Sequence, residues 1–142
     1  DNRLQVGDDV FGFVPSGALR SYVTTHATLL AKVPPQHQLS FEQMAALPAA
    51  FAITDTGLRD LAQVKSGHKV LITEAATDVG LAAIQYCRRV GATVYATAGS
   101  AEKQQYLRSL GVEYVTSTRD VSRFKTDMRA FLGVPQEGGG AL

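Results

Sequence analysis

The hydrophobic rhythm of the chain changes near residue 40. Before that point "DDVFGFV" (8–14) gathers valine and phenylalanine up to a turn at "PSGA", Pro15 to Ala18. "LRSYVTTHATLLAKV" (19–33) then shows β-branched residues in partial alternation and stops at Pro34-Pro35. Both stretches predict short strands joined by turns. From Ser40 the spacing becomes helical. Ser40 stands at an N-cap position with Gln43 three residues later, a capping box. Pro48 is expected to interrupt this helix, and "AAFAITDTGLRDLAQV" (49–64) predicts a second one ending near Val64.

After the turn "KSGHK" (65–69) the pattern alternates. Strands are predicted over Lys69–Thr73, Thr93–Thr97 and Tyr114–Thr116, and helices over Val79–Val90, Ala101–Leu110 and Val121–Phe131. Gly91 and Gly111 follow two of these helices, where a left-handed residue closes the last turn. Strands separated by helices of this length pair in parallel through crossover connections. The class is α/β, and with three such strands against the six or so of a full doubly wound sheet, the sheet is incomplete.

Composition narrows the picture. The 142 residues are 45% hydrophobic and 19% charged, a globular balance. A net charge of +1 points to no nucleic-acid or anionic-membrane partner. No apolar run approaches a membrane span. Cys87 is the single cysteine, which excludes an internal disulfide and a cysteine-based zinc site and fits a reducing, cytoplasmic setting. His26, His37 and His68 lack metal-ligand spacing and read as surface residues. No serine has the context of a nucleophile elbow, so no catalytic residue is assigned. Cys87 reads as core, on the inner face of its helix with Ala83 and Val90, and Arg88 and Arg89 as a solvated face. The ends, "DNRLQVGDDV" and "EGGGAL", read as cut from something longer.

The segments "VGDDVFGF", "LSFEQMAALPAAF", "VKSGHKVLI" and "VGLAAIQYCRRVGATVYATAGSAEKQQYLRSLGV" resemble, in order and spacing, the medium-chain dehydrogenase/reductase superfamily. They are most similar to the enoyl reductase domains of polyketide and fatty acid synthases, and "ATAGSAEKQQYLRSLG" is the most specific piece. The resemblance implies a partial GroES-like β region over 1–40 and a truncated Rossmann-like nucleotide-binding domain over 41–142. It implies NADPH as cofactor and an α,β-unsaturated acyl thioester on an acyl carrier protein as substrate. Other domains of a multidomain synthase, and a homodimer formed through the parent protein, are the implied partners.

The chain departs from that pattern where the chemistry sits. The family's turn resembles alanines followed by Gly-Gly-Val-Gly. Here it reads Ala75, Ala76, Thr77, Asp78, Val79, Gly80, so only the helix-packing Gly80 is kept. Backbone N–H groups at such a turn hold a pyrophosphate, and glycines let the backbone approach it. Asp78 is expected to cap the helix and to set a negative charge where the diphosphate belongs. The expected loss of affinity runs from about tenfold to several thousandfold. Ser100 and Lys103 match family residues that bind the 2′-phosphate, and no acid ends the second parallel strand, as suits NADP rather than NAD. A tyrosine-rich stretch of the family's cleft is replaced by Ile53-Thr54-Asp55-Thr56-Gly57. The expectation is a degenerate, catalytically silent reductase domain with a structural role, the ancestral site being Thr77, Asp78, Val79, Gly80, Ser100 and Lys103. The alternative is an active NADPH-dependent enoyl reductase.

Overall fold

The computed structural model describes residues 4–36 and 38–135. They fall into two compact units, Asp1–Ala52 and Ile53–Leu142. His37 and the glycine run at 138–140 lie outside the described residues.

In the first unit β1 (Val10–Gly12) pairs antiparallel with β2 (Leu30–Lys32), Phe11 opposite Ala31. The strand expected over 19–33 is realised only in its last residues. Ala27–Leu29 form a 3-10 turn instead, and Leu19, Tyr22 and Val23 are exposed. β-branched composition favours a strand only where a partner offers a pleated surface to pack on, and β1 offers three residues.

Helix α1 (Phe41–Thr54) begins on the expected capping box. The Ser40 N–H donates to Gln43 Oε1 at 2.9 Å, and the Gln43 N–H donates to Ser40 Oγ at 3.3 Å. Pro48 does not interrupt it, contrary to expectation. An interior proline costs roughly 3 kcal/mol. Burial of Met44 and Ala50 on either side offsets much of this, since a buried methionine alone contributes about 1.5–3 kcal/mol. The helix expected to continue to Val64 instead widens into a seven-residue π-helix, Asp55–Leu61. The Ala62 N–H reaches back five residues to Gly57 O at 3.0 Å, and Gln63 then turns left-handed (φ 48°) to end the run. Leu58 packs on the core of the second unit.

That unit carries the parallel sheet. β3 (Lys69–Ile72), β4 (Thr93–Thr97) and β5 (Tyr114–Thr116) lie in the order β3-β4-β5, with α2 (Asp78–Val90), α3 (Ala101–Ser109) and α4 (Val121–Leu132) between and after them. Ile72, Ala83, Ile84, Cys87, Ala96, Leu107 and Val115 form one buried cluster. Cys87 is therefore core, with Ala83 beside it, and Val90 is half-buried. Gly91 (φ 78°) and Gly111 (φ 83°) adopt the left-handed conformation expected after α2 and α3. Opposite, Tyr95 stacks on Tyr114 at 4.7 Å and Phe131 of α4 closes over both. In the described residues no helix is long and apolar enough to cross a membrane.

Candidate nucleotide site

The turn between β3 and α2 is built from three fixed points. The Ala75 N–H donates to Thr97 O at 2.9 Å, tying the turn to the end of β4. The Glu74 N–H donates to Thr97 Oγ1 at 3.2 Å. Glu74 itself sits at φ 48°, a left-handed position that costs a non-glycine residue roughly 1–2 kcal/mol. Sequence reasoning missed Glu74, because nothing about a glutamate marks a left-handed backbone. The third point is Gly80. A Cβ there would stand 2.6 Å from both Cα and O of Ala75, so the helix can seat against the turn only with glycine at this position.

Thr77, not Asp78, is the N-cap of α2, which corrects the sequence expectation. Its backbone is extended (φ −101°, ψ 170°), as an N-cap requires. Its hydroxyl is used twice: it donates to Glu74 O at 3.0 Å and accepts from the Gly80 N–H at 3.2 Å. Asp78 is the first helical residue, and its carboxylate Oδ1 accepts from the Val79 N–H at 2.8 Å. The physical reason for the exchange is the backbone: a cap residue is extended and its side chain bonds the N–H two or three residues ahead, and here Thr77 is extended while Asp78 is already helical. The carboxylate still lies at the helix start, where the helix dipole favours negative charge. Thr77 and Asp78 are exposed, Val79 half-buried and Gly80 buried.

Two N–H groups that could receive a phosphate are thus held by the chain's own side chains. The donor set at this turn does not fit a diphosphate. It presents two engaged amides, a threonine methyl and a carboxylate in place of bare glycine backbone.

At the neighbouring strand end the chemistry differs. β4 runs out through Ala98-Gly99-Ser100 with no acid. Ser100 caps α3, its Oγ accepting from the Lys103 N–H at 3.3 Å, and Lys103 is exposed on the first turn. The segment replacing the tyrosine-rich stretch spans the end of α1 and the π-helix. Thr54 is buried, its hydroxyl donating to Val79 O at 3.5 Å, and Asp55 pairs with Arg59 at 2.8 Å. His26 and His68 are exposed, and so are Arg88 and Arg89. Arg88 also donates from Nη2 to Leu110 O at 2.5 Å. Among the described residues no three His, Cys, Asp or Glu side chains group to hold a metal ion.

Residues 79–138 match the zinc-binding dehydrogenase family model. A mycocerosic acid synthase-like polyketide synthase of Mycobacterium tuberculosis is 42% identical over 120 residues, 84% of this chain. The crystal structure of the CurK enoyl reductase superposes with a TM-score of 0.82 at 36% identity, covering 92% of this chain and 39% of that one. The chain belongs to the medium-chain dehydrogenase/reductase superfamily, in its enoyl reductase branch. The quinone oxidoreductase of Thermus thermophilus, whose structures include a complex with NADPH, shares the fold at a TM-score of 0.77 and 30% identity, over 90% of this chain and 41% of that one. The chain spans only 6% of the mycobacterial synthase's length, so it matches one reductase-like part of a large multidomain enzyme.

Proposed function

We propose that this chain is a catalytically silent enoyl-reductase-like domain that serves a polyketide synthase as a packing element among its other domains. One observation carries the reading. The Thr77 hydroxyl and the Asp78 carboxylate hold the Gly80 and Val79 N–H groups, and on this reading the carboxylate would face the cofactor's diphosphate. A unit charge pair at about 4 Å repels by roughly 1 kcal/mol in bulk water and roughly 4 kcal/mol at an effective dielectric of 20. At about 1.4 kcal/mol per decade, this alone weakens a diphosphate ligand by roughly fivefold to several hundredfold. Displacing the Thr77 cap adds about 1 kcal/mol.

The rival reading is an active reductase that delivers hydride from NADPH to an unsaturated acyl thioester on an acyl carrier protein. The acid-free end of β4, with Ser100 and Lys103 beside it, favours that reading. When bound, NADPH supplies the hydride. The chain's own contribution at the strand end would be the Lys103 ammonium and the Ser100 hydroxyl toward the 2′-phosphate.

Titration with NADPH, followed by nicotinamide fluorescence, separates the two. The native chain should bind no tighter than roughly 0.1 mM, and Thr77→Gly with Asp78→Gly should gain tenfold or more. Thr77→Gly suits this test because glycine at an N-cap costs only a few tenths of a kcal/mol. Low-micromolar binding by the native chain, unchanged in the double variant, would establish the rival.

A further inference from the structure

The amino end of the parallel sheet, opposite the β3–α2 turn, gathers cations that lie far apart in sequence. The Gly67 N–H donates to Gly91 O at 3.0 Å and the Thr93 N–H to His68 O at 2.8 Å, so the turn before β3 lies against the end of α2. Arg88 reaches from α2 to the connection after α3 through its bond to Leu110 O. Arg88, Thr93, Gly111 and Glu113 line one shallow pocket there. Over these three connections, residues 65–69, 88–93 and 108–114, the chain places Lys65, Lys69, Arg88, Arg89 and Arg108 against a single acid, Glu113, and all six are exposed.

The patch is not neutralised from within. Among the described residues none of the five cations forms an ion pair. Upstream of Lys65, Asp55 and Asp60 are both held by Arg59 at 2.8 Å. Helix dipoles account for part of the pattern, since Arg88, Arg89 and Arg108 stand in the last turns of α2 and α3, where a cation is favoured. They do not account for Lys65, which precedes a turn, or for Lys69, which opens β3. The three guanidinium groups are also held in place. Arg88 and Arg108 donate to the carbonyls of Leu110 and Val115, and Arg89 lies over the Tyr86 ring at 5.4 Å. Such cations lose little freedom when a partner arrives.

Sign and surroundings select the partner. A positive patch meets a negative one. The chain as a whole carries only +1, and the other end of the sheet exposes Glu74, Asp78, Glu102 and Asp120. A long polyanion would meet those acids, whereas a compact acidic face would not. No exposed ring stands in the patch for a base to stack on, because Tyr86 is buried and Tyr114 is packed against Tyr95 and Phe131. We propose that this end of the sheet is the interface for an acidic face of a neighbouring domain of the parent synthase, with Lys65, Lys69 and Arg89 pairing with its carboxylates. The inference rests on the packing role proposed above and names the surface through which that packing is made.

Carbodiimide cross-linking of the full-length synthase that carries this chain tests it, since the reagent joins an amine to a carboxylate only where the two touch. Mass spectrometry should find Lys65 and Lys69 joined to Asp or Glu side chains outside this chain. Raising NaCl from about 0.1 M to about 1 M shortens the screening length from about 10 Å to about 3 Å and should cut the yield about fivefold or more. Arg89→Glu, which leaves both lysines to report, should cut it similarly with no change in the melting temperature. No link from either lysine, links only within this chain, or a yield indifferent to salt and to Arg89→Glu would overturn the proposal. Retention of a short DNA duplex or of phosphatidylglycerol vesicles by the full chain at about 0.15 M NaCl would overturn it too, in favour of a nucleic acid or a lipid surface. NADPH plays no part in these readouts, so failure of the silent-domain reading is seen separately, in the cofactor titration.

Discussion

Gly80→Ala is the substitution on which the geometry speaks most plainly. The added methyl would stand 2.6 Å from Cα and O and 2.7 Å from C of Ala75. These are backbone atoms, so no rotamer can relieve the contact. Nor can Ala75 retreat easily. It is fully buried, its N–H is bonded to Thr97 O at 2.9 Å, and the preceding Glu74 N–H is bonded to Thr97 Oγ1 at 3.2 Å. The strain must therefore be taken up by lifting the start of α2 from the sheet. Overpacking of this kind costs about 1–3 kcal/mol, and with backbone on both sides the upper end applies. Alanine returns up to about 1 kcal/mol in helix propensity, which leaves a net loss of roughly 2 kcal/mol.

Gly57→Ala is the matched control. Nothing lies within 4 Å of a Cβ at Gly57, and its backbone is not left-handed. The same chemical change should there stabilise by about 0.5–1 kcal/mol. Urea unfolding followed by far-ultraviolet circular dichroism measures both, with the slope unchanged if only the folded state is affected. A Gly80→Ala chain as stable as the native one would refute the packing role of Gly80. It would also refute the account of why this glycine persists while its neighbours in the turn do not.

Three further outcomes follow from named contacts. Thr77→Ala removes the N-cap of α2 and should lower stability by about 1 kcal/mol in the same urea assay, whereas Asp78→Ala, which leaves the cap in place, should cost less. Burial raises the Cys87 thiol above its ordinary 9.0, so an aromatic disulfide reagent should label it only after denaturant is added. The stability that its buried neutral form supplies should be present below pH 9 and fade as pH climbs toward the raised folded value. Hydrogen bonds from the Lys32 ammonium and the Gln5 N–H hold Asp8 below its ordinary 3.8. Its contribution should be present above that value and be lost as pH falls through the lower folded one, and Asp8→Asn should flatten this acid limb of the stability profile.

The parallel half of the fold was legible because three signals agree over Lys69–Thr116. Apolar runs of strand length, helices of about three turns and a glycine after each of two helices all call for one architecture. Where signals conflicted, the sequence misled. Pro48 spoke for a break and the buried Met44 and Ala50 for continuity, and burial won. The β-branched run at 19–26 spoke for a strand, but short β1 left it no partner. At the turn, the cap was expected at Asp78, one residue late, and Thr77 was not read as a cap. An N-cap is defined by backbone angles that residue type only favours, and Thr77 and Asp78 are both good candidates. Glu74 was out of reach for a different reason. Its place in the turn is fixed through Thr97, 23 residues away, and local pattern does not carry tertiary contact.

The burial pattern also explains how the scaffold and its chemistry can separate. Gly80 and Ala75 meet inside the core, so any change there is felt by every folded molecule. Thr77 and Asp78 face solvent at the same turn, so their identity is free of packing constraint. Bare glycine in those two places would serve a phosphate but do little for the fold. Relative to glycine a threonine cap there contributes only a few tenths of a kcal/mol, and a carboxylate in the first turn adds a few tenths more through the helix dipole. Stability and cofactor affinity thus pull in opposite directions at residues 77 and 78 and act on different atoms at residues 75 and 80. If the silent-domain reading holds, the same turn keeps its shape, and even gains stability, at the expense of a diphosphate. Restoring the glycines should accordingly raise NADPH affinity and lower the urea midpoint together. If both rose, the trade between cap and ligand would not be the reason the turn reads as it does.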